Sequence, residues 1–371
     1  MITVLQVLEA TEGGTRRHLR DLVGALDPAC FRCALAVSRR RDPAFGDDWA
    51  AYGARGLPLY EVPMRRGIAP AADAASLVAL VRCVRRVRPD VIHAHSAKAG
   101  FLARLAGALC GVPVVYTPHV FPFLMACGPR QRRLYRMLER SVRDLAQTVI
   151  AVSAEEEREA LRLGYARDRV ALIRNGVPAC APVPLAVRES GPLTVGFVGR
   201  LSRQKGPDLL LDAAADVVAH VPQARFVFFG EGEMAEALRA QAERLQLGAH
   251  VAFSGAFAQG EAVAHMRQMD VVAVPSRWEG CPYVILEAFQ AGVPVVAAAV
   301  GGVPDLVRHG ENGVCVEADD AEALCDGLLG VLRDPRRRRQ LAENGRASVA
   351  AWTAERMAQA VGEVYRRACR V

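Results

Sequence analysis

The chain has 371 residues, 51% of them hydrophobic and 23% charged, which excludes a disordered sequence and suits two domains better than one. Its net charge of +7 is uneven: residues 1–189 carry 28 Lys and Arg against 18 Asp and Glu, while residues 190–371 carry 19 against 22. The basic first half should attract an anionic partner such as a phosphorylated acceptor, an acidic glycan or a membrane surface; no basic stretch interleaved with aromatics speaks for nucleic acid.

Apolar runs alternate with helical patterns along the chain, the sign of parallel sheets built from βα units. In the first half the strands are predicted at Ile2–Leu8, Cys33–Ser38, Leu59–Pro63, Asp90–His95, Val114–Thr117, Thr148–Ser153 and Ala171–Arg174. Helices are predicted at Arg16–Ala25, Ala74–Val87, Ala97–Leu109, Arg130–Leu145 and Ala154–Leu163. The first strand follows Met1 directly with no basic segment, so it predicts no signal peptide. A Pro-rich stretch with Pro178, Pro182, Pro184 and Pro192 then reads as a linker. The pattern restarts with strands at Leu193–Gly199, Arg225–Gly230, Val251–Ser254, Val271–Pro275 and Pro294–Ala298. Apolar Met357, Val361, Val364 and Tyr365 recur at helical spacing near the end. The domains expected are therefore 1–177, a linker 178–192, 193–352, and a C-terminal helix over 353–371 that packs back on the first domain. Two doubly wound α/β domains so joined would face each other across a cleft at the carboxyl ends of their sheets, where such folds bind ligands.

No apolar run reaches the length of a membrane span; the best, Val293 to Val303, is broken by Pro294 and a Gly pair, and the chain is expected in the cytoplasm. Of ten cysteines only Cys30 and Cys33 form a CxxC pair, and no second pair or nearby His completes a zinc set.

Two segments carry chemistry. Gly199-Arg200-Leu201-Ser202-Arg203-Gln204-Lys205-Gly206 leaves a strand and enters a helix at Pro207, placing two cations where they could neutralise a departing diphosphate. Of the 47 basic residues only Lys98 and Lys205 are lysine, so Lys205 stands out inside this motif. The second segment runs from Ser276 through Glu279, Gly280, Cys281, Pro282 and Tyr283 to Glu287 and Ala288. Pro282 is expected in the first turn of a helix whose N-terminus suits a phosphate, and the two carboxylates flanking it suit sugar and ribose hydroxyls.

This second segment resembles the E-x7-E signature of family 4 retaining glycosyltransferases of the GT-B fold, and Gly199–Gly206 resembles that family's arginine–lysine diphosphate clamp. The likeness extends through Gly230-Glu231-Gly232 and Gly301-Gly302-Val303-Pro304-Asp305. It continues more loosely in the first half through Glu12-Gly13-Gly14-Thr15, His93-Ala94-His95, Tyr116-Thr117-Pro118-His119 and Arg174-Asn175-Gly176-Val177. The resemblance implies that Arg200 and Lys205 hold the donor diphosphate and that Glu287 binds the ribose. It implies that Glu279, with the Gly280, Cys281 and Tyr283 backbone, holds the sugar. Gly13 and Gly14 would let the first loop approach phosphate or acceptor, and His119 would lie beside the reacting centre. Ser153 and Asn175 are read as structural.

Pro178 stands where the family commonly has Asp, and Pro282 where Gly is frequent. No D-x-D sequence occurs, and the pairs Asp47-Asp48 and Asp319-Asp320 read as loops, so neither a metal-bound diphosphate nor any cofactor is expected. The implied reaction is front-face transfer with retention, from a nucleotide diphosphate sugar (uridine first, guanosine second) to a glycan, lipid-linked or small-molecule hydroxyl. The alternative on the same fold is a nucleotide-sugar 2-epimerase. A basic amphipathic helix over Pro129 to Leu145, with Leu134, Met137, Leu138, Val142 and Leu145 on one face, raises two readings. One is core packing; the other is contact with the inner face of an anionic membrane carrying a polyprenyl-diphosphate-linked acceptor.

Overall fold

Strands buried on both faces read as unbroken apolar runs, and here they become the centres of two all-parallel sheets. The computed structural model describes residues 1–179, 185, 191–257 and 260–370, and divides into two units, Met1–Pro178 with Ala354–Val371, and Ala179–Thr353. Of the stretch expected as a linker, residues 180–184 and 186–190, with Pro182 and Pro184, lie outside the described residues.

In the first unit the order is β1 (Ile2–Leu8), α1 (Gly13–Ala25), β2 (Phe31–Val37), α2 (Phe45–Ala54), β3 (Leu59–Glu61), α3 (Pro70–Val87), β4 (Val91–His95), α4 (Ala97–Cys110), β5 (Val114–Thr117), α5 (Pro129–Val142), β6 (Thr148–Ala151), α6 (Ala154–Leu163) and β7 (Val170–Leu172). The sheet order is β3-β2-β1-β4-β5-β6-β7. Strand β1 pairs with β2 through Val4 and Cys33, and with β4 through Val4 and Val91.

The second unit contains β8 (Thr194–Val198), α7 (Pro207–His220), β9 (Arg225–Phe229), α8 (Ala235–Arg244), β10 (Val251–Gly255), α9 (Ala262–Met266), β11 (Val271–Val274), α10 (Tyr283–Ala291), β12 (Val295–Ala298), α11 (Val303–Leu306), β13 (Val314–Val316), α12 (Ala321–Leu332) and α13 (Pro335–Val349). Its sheet order, β10-β9-β8-β11-β12-β13, repeats the first. Both sheets thus reverse direction between their first and fourth strands, the place where doubly wound folds bind ligands beyond the carboxyl ends of the strands.

The last helix, α14 (Ala354–Ala368), belongs to the first unit. It buries Met357, Val361, Val364 and Tyr365 against Val4, Leu22, Phe31, Val91, Val115 and Ile150.

Three sequence expectations need correction. Asp47 and Asp48 are not in a loop but in the first turn of α2, where carboxylates suit the helix dipole. Gly13 and Gly14 open α1 rather than lie in a loop, with Gly13 at φ +58 supplying the left-handed entry. Pro282 is the residue before α10, in extended backbone at φ −72 and ψ 118, not inside its first turn.

Helix α5 also differs. Tyr135, Glu139 and Val142 form its inward face; Tyr135 packs on the core and Glu139 pairs with Arg104. Leu134 and Met137, on the apolar face read as either core packing or membrane contact, are 39% and 60% exposed, and Leu145 lies beyond the helix in a short 3₁₀ turn and is also exposed. Among the described residues, no helix is long and apolar enough to cross a membrane. Nine cysteines, including Cys30 and Cys33, are free thiols among the described residues.

Candidate active site

In the second unit the site grows from the loops after β8 and β11, adjacent strands at the reversal point. The β8 loop turns into α7 through Gly206, which sits at φ +65 with its missing Cβ against the carbonyl oxygen of Pro275. A side chain there would clash with backbone and force a left-handed conformation, so glycine is required for the two loops to touch. Their contact brings together residues far apart in sequence. Lys205 Nζ donates to Glu279 Oε1 at 2.5 Å, and Ser276 Oγ donates to the same oxygen at 2.7 Å. Gln204 Nε2 donates to the Trp278 carbonyl at 3.1 Å, and the Arg277 amide donates to the Gln204 carbonyl at 2.8 Å.

Arg277, which the sequence reading passed over, fastens this arrangement. Its guanidinium donates to both carboxylate oxygens of Asp208 at 2.9 and 2.7 Å, to Asp319 at 2.5 Å and to the Arg203 carbonyl at 3.0 Å. The hydrogen bonds and charge of Arg277 hold the Asp208 carboxyl below the usual range although burial opposes this. Its only sequence signal was its place within the Glu279 segment.

Glu279 and Glu287 are both buried, while the Arg200 side chain is exposed and reaches Gln204 Oε1 at 3.4 Å. Gly280 is half-buried, Cys281 and Tyr283 are buried, and α10 starts without a side-chain cap. The loop after β12 closes on Glu279 from behind: Gly301, at φ +56, places its missing Cβ against the Glu279 carbonyl. The set is therefore a buried carboxylate holding the Lys205 ammonium in place, an exposed guanidinium, and an uncapped helix end. Such a set has the chemistry to bind an anion and to offer a carboxylate to hydroxyl groups.

In the first unit the equivalent loops gather imidazoles. His93 and His95 close β4, His119 follows β5, and His18 comes from α1. His93 lies between the Tyr365 hydroxyl, at 2.6 Å from Nδ1, and Thr117 Oγ1, at 2.8 Å from Nε2. Gln6 Nε2 donates to Tyr365 at 3.0 Å, and Gln6 Oε1 stands 2.8 Å from His95 Nε2. His95 Nδ1 is 3.2 Å from His119 Nε2, and His18 Nδ1 is 2.9 Å from Asn175 Oδ1. Burial pushes His18 down to about 4 and holds His93, His95 and His119 well below the usual histidine range, so these rings are neutral at pH 7.

His119 and Val120 both have positive φ, 55 and 93. For a β-branched valine this is strained backbone, of order 1–3 kcal/mol. What holds it is Glu156, whose carboxylate accepts the amide of Val120 at 2.8 Å and that of Val152 at 2.8 Å. Ser153 and Glu156 open α6 as a variant capping box, Ser153 Oγ accepting the Glu156 amide at 3.2 Å. Burial pushes the Glu156 carboxyl up to about 7 even though both backbone bonds favour its ionised form. A raised carboxyl contributes stability that is full below its ordinary value of 4.5 and is lost as pH rises through about 7. The stability advantage of the wild type over Glu156→Gln should therefore shrink between pH 4.5 and 8, measured as the difference in thermal midpoints. A difference constant with pH would contradict this assignment.

His119, expected from the resemblance to lie beside the reacting centre, falls in this cluster with His18; neither His18 nor Glu156 is expected from the sequence. The sequence reading set Asn175 and Ser153 aside as structural; Asn175 touches His18, and Ser153 caps α6.

Two doubly wound parallel units, one carrying a paired lysine and glutamate in the loops at its sheet reversal, are a fold that binds ligands beyond the carboxyl ends of its strands. Comparison with known proteins makes the class definite. Residues 186–348 match the family described as glycosyl transferases group 1, and residues 13–176 match the glycosyl transferase 4-like domain. The D-inositol 3-phosphate glycosyltransferase of Corynebacterium urealyticum is 31% identical over 336 residues, 84% of this chain and 78% of that protein. The Escherichia coli UDP-Gal:alpha-D-GlcNAc-diphosphoundecaprenol alpha-1,3-galactosyltransferase is 28% identical over 284 residues, 72% and 73% of the two chains. Among solved structures, the Anabaena protein HepE in complex with UDP and glucose matches with a TM-score of 0.81 at 23% identity, covering 98% of this chain and 99% of that one. The chain belongs to the family 4 glycosyltransferases of the GT-B fold, enzymes that use nucleotide-sugar donors.

Proposed function

We propose that the protein moves a hexosyl group, with retention, from a UDP-sugar to an acceptor hydroxyl, and that no metal serves the diphosphate. The observation that carries this reading is the Lys205–Glu279 pair held at 2.5 Å in the loops at the sheet reversal. It presents an ammonium to the diphosphate and a carboxylate to the sugar. Arg200 adds a second cation, and Glu287 on α10 is assigned to the ribose. Gly280, Cys281 and Tyr283 are assigned to the sugar through their backbone, Gly13 and Gly14 to phosphate or acceptor, and His119 to the neighbourhood of the reacting carbon. In front-face transfer the acceptor oxygen bonds to the anomeric carbon as its bond to the diphosphate oxygen breaks. The acceptor proton passes to the departing diphosphate, whose charge Arg200 and Lys205 stabilise. Uridine is favoured because the named galactosyltransferase uses UDP-Gal and the HepE structure holds UDP. Proton NMR of the product formed in the presence of chelator tests this: an α-linked product from an α-configured donor is expected. An inverted product, or dependence on added Mg²⁺, would refute it.

For the acceptor, α5 supports a polyprenyl-diphosphate carrier at an anionic membrane. Leu134 and Met137 are exposed beside exposed Arg130, Arg133 and Arg140, an arrangement suited to interfacial binding. The diphosphoundecaprenol in the name of the Escherichia coli relative agrees with it. The inositol phosphate relatives favour a second reading, a soluble phosphorylated polyol, which would also answer the +10 charge of residues 1–189. Sedimentation with phosphatidylglycerol vesicles distinguishes the two. Salt-sensitive binding that Leu134→Ser with Met137→Ser reduces at least about tenfold is expected for a membrane face. No sedimentation at low salt would favour the soluble acceptor.

A further inference from the structure

Three histidines of the first unit turn ring nitrogens toward one another. One ring nitrogen from each of His18, His95 and His119 lies within 4.8 Å of the other two. The tautomers follow from the outer hydrogen bonds. Gln6 Oε1 can only accept, so His95 Nε2 carries the proton and Nδ1 presents a lone pair. Asn175 Oδ1 can only accept, so His18 Nδ1 carries the proton and Nε2 presents a lone pair. His18 Nε2 is fully buried and has no hydrogen-bond partner. An orphaned buried acceptor costs free energy unless something occupies it. His119 Nε2 stands 3.2 Å from His95 Nδ1 and, with the lone pair on that nitrogen, donates a hydrogen bond to it; an ion would replace this bond once the His119 proton shifts to Nδ1. Two imidazole nitrogens on a tetrahedral ion at about 2.0–2.1 Å stand roughly 3.3 Å apart, which this spacing matches.

We infer that His18, His95 and His119 form a binding site for a divalent transition-metal ion, with zinc the best match to the donors. Three imidazoles are the donor set of zinc, copper and nickel, whereas magnesium and calcium prefer oxygen, so this is not a magnesium site for diphosphate. Both ligand rings with assigned tautomers are oriented by acceptors on their second nitrogen, Asn175 for His18 and Gln6 for His95; Gln6 is held in turn by Tyr365. Such outer hydrogen bonds fix metal-binding histidines in their ligating orientation. Three ligands leave a fourth position for water, and His119 is the one ring of the three that is partly open. The site lies beyond the proposed transfer, for which no metal is invoked.

The test is a titration of chelator-stripped full-length protein with Co²⁺, followed by Zn²⁺ displacement and metal analysis after dialysis. One ion per chain is expected, with the visible absorption of tetrahedral nitrogen-ligated cobalt, no thiolate charge-transfer band, and loss of the signal on adding zinc. His18→Ala should abolish the band, and Asn175→Ala should weaken binding about 10–100-fold, as loss of an outer hydrogen bond does. His220→Ala and His309→Ala, exposed elsewhere, should leave it unchanged. The wild-type spectrum is informative even where a variant misfolds. A featureless titration, a thiolate band, or equal affinity in His18→Ala and the wild type would overturn the site.

Discussion

Lys205→Ala should lower kcat by about 10²–10³-fold, the usual effect of removing one preorganised group that stabilises charge developing in a transition state. The charge at stake is the extra negative charge that the β-phosphate acquires as its bond to the sugar breaks. The ammonium is already in place, held by Glu279 at 2.5 Å, and Glu279 is itself fixed by Ser276 at 2.7 Å. Little reorganisation is then needed when the diphosphate arrives, and the loss should fall on kcat more than on KM. Lys205→Arg should recover only part of the rate, because a planar fork does not reproduce a point charge on the same oxygen. Steady-state kinetics with a saturating donor read both parameters. A rise in KM with kcat unchanged would mean that Lys205 binds ground state and transition state alike.

Arg104→Ala should destabilise the first unit by about 3–5 kcal/mol, the range for breaking a buried ion pair from one side. Arg104 is fully buried, and its guanidinium donates to Glu139 at 2.6 and 3.1 Å, to the Tyr165 hydroxyl at 2.7 Å and to the Gly100 carbonyl at 2.9 Å. It also stacks over the Tyr116 ring at 4.2 Å. Alanine would leave the Glu139 carboxylate buried with only the Tyr165 hydroxyl, and the penalty is a large share of the 5–15 kcal/mol typical of a domain. Arg104→Met combined with Glu139→Leu removes both charges and should be much less harmful than either alanine change alone. Urea midpoints decide: a double variant as unstable as Arg104→Ala would show that packing, not the stranded charge, sets the cost.

How far the sequence foretold this molecule depends on the kind of signal. Central strands such as Val114–Thr117 and Val271–Val274 stand within a residue of their predicted bounds, because parallel strands buried on both faces leave unbroken apolar runs. Helix α2 was not predicted: FGDDWAAYGA is short, and its two aspartates look like a loop until their place in the first turn is seen. Edge strand β13 is absent from the sequence-based expectations, although the equally short edge strands β3 and β7 are among them. Lys205 and Glu279 were each legible from motif resemblance, but their direct pairing spans 74 residues and depends on how two loops meet. The histidine cluster was less visible still. His18 occupies an ordinary helical position, and the Gln6–Tyr365 bond that orders its neighbours joins the two ends of the chain. Glu156 was hidden because its work is to hold the backbone of Val120, which no side-chain pattern announces.

The most direct test of the central claim is calorimetric titration of the wild type with UDP-sugars and the matching GDP-, ADP- and dTDP-sugars, in chelator throughout. One-to-one binding of a UDP-sugar without metal is expected, accompanied by thermal stabilisation of about 2.7 kcal/mol at a hundred times Kd. Binding that requires a divalent ion, or no binding of any UDP-sugar, would contradict it.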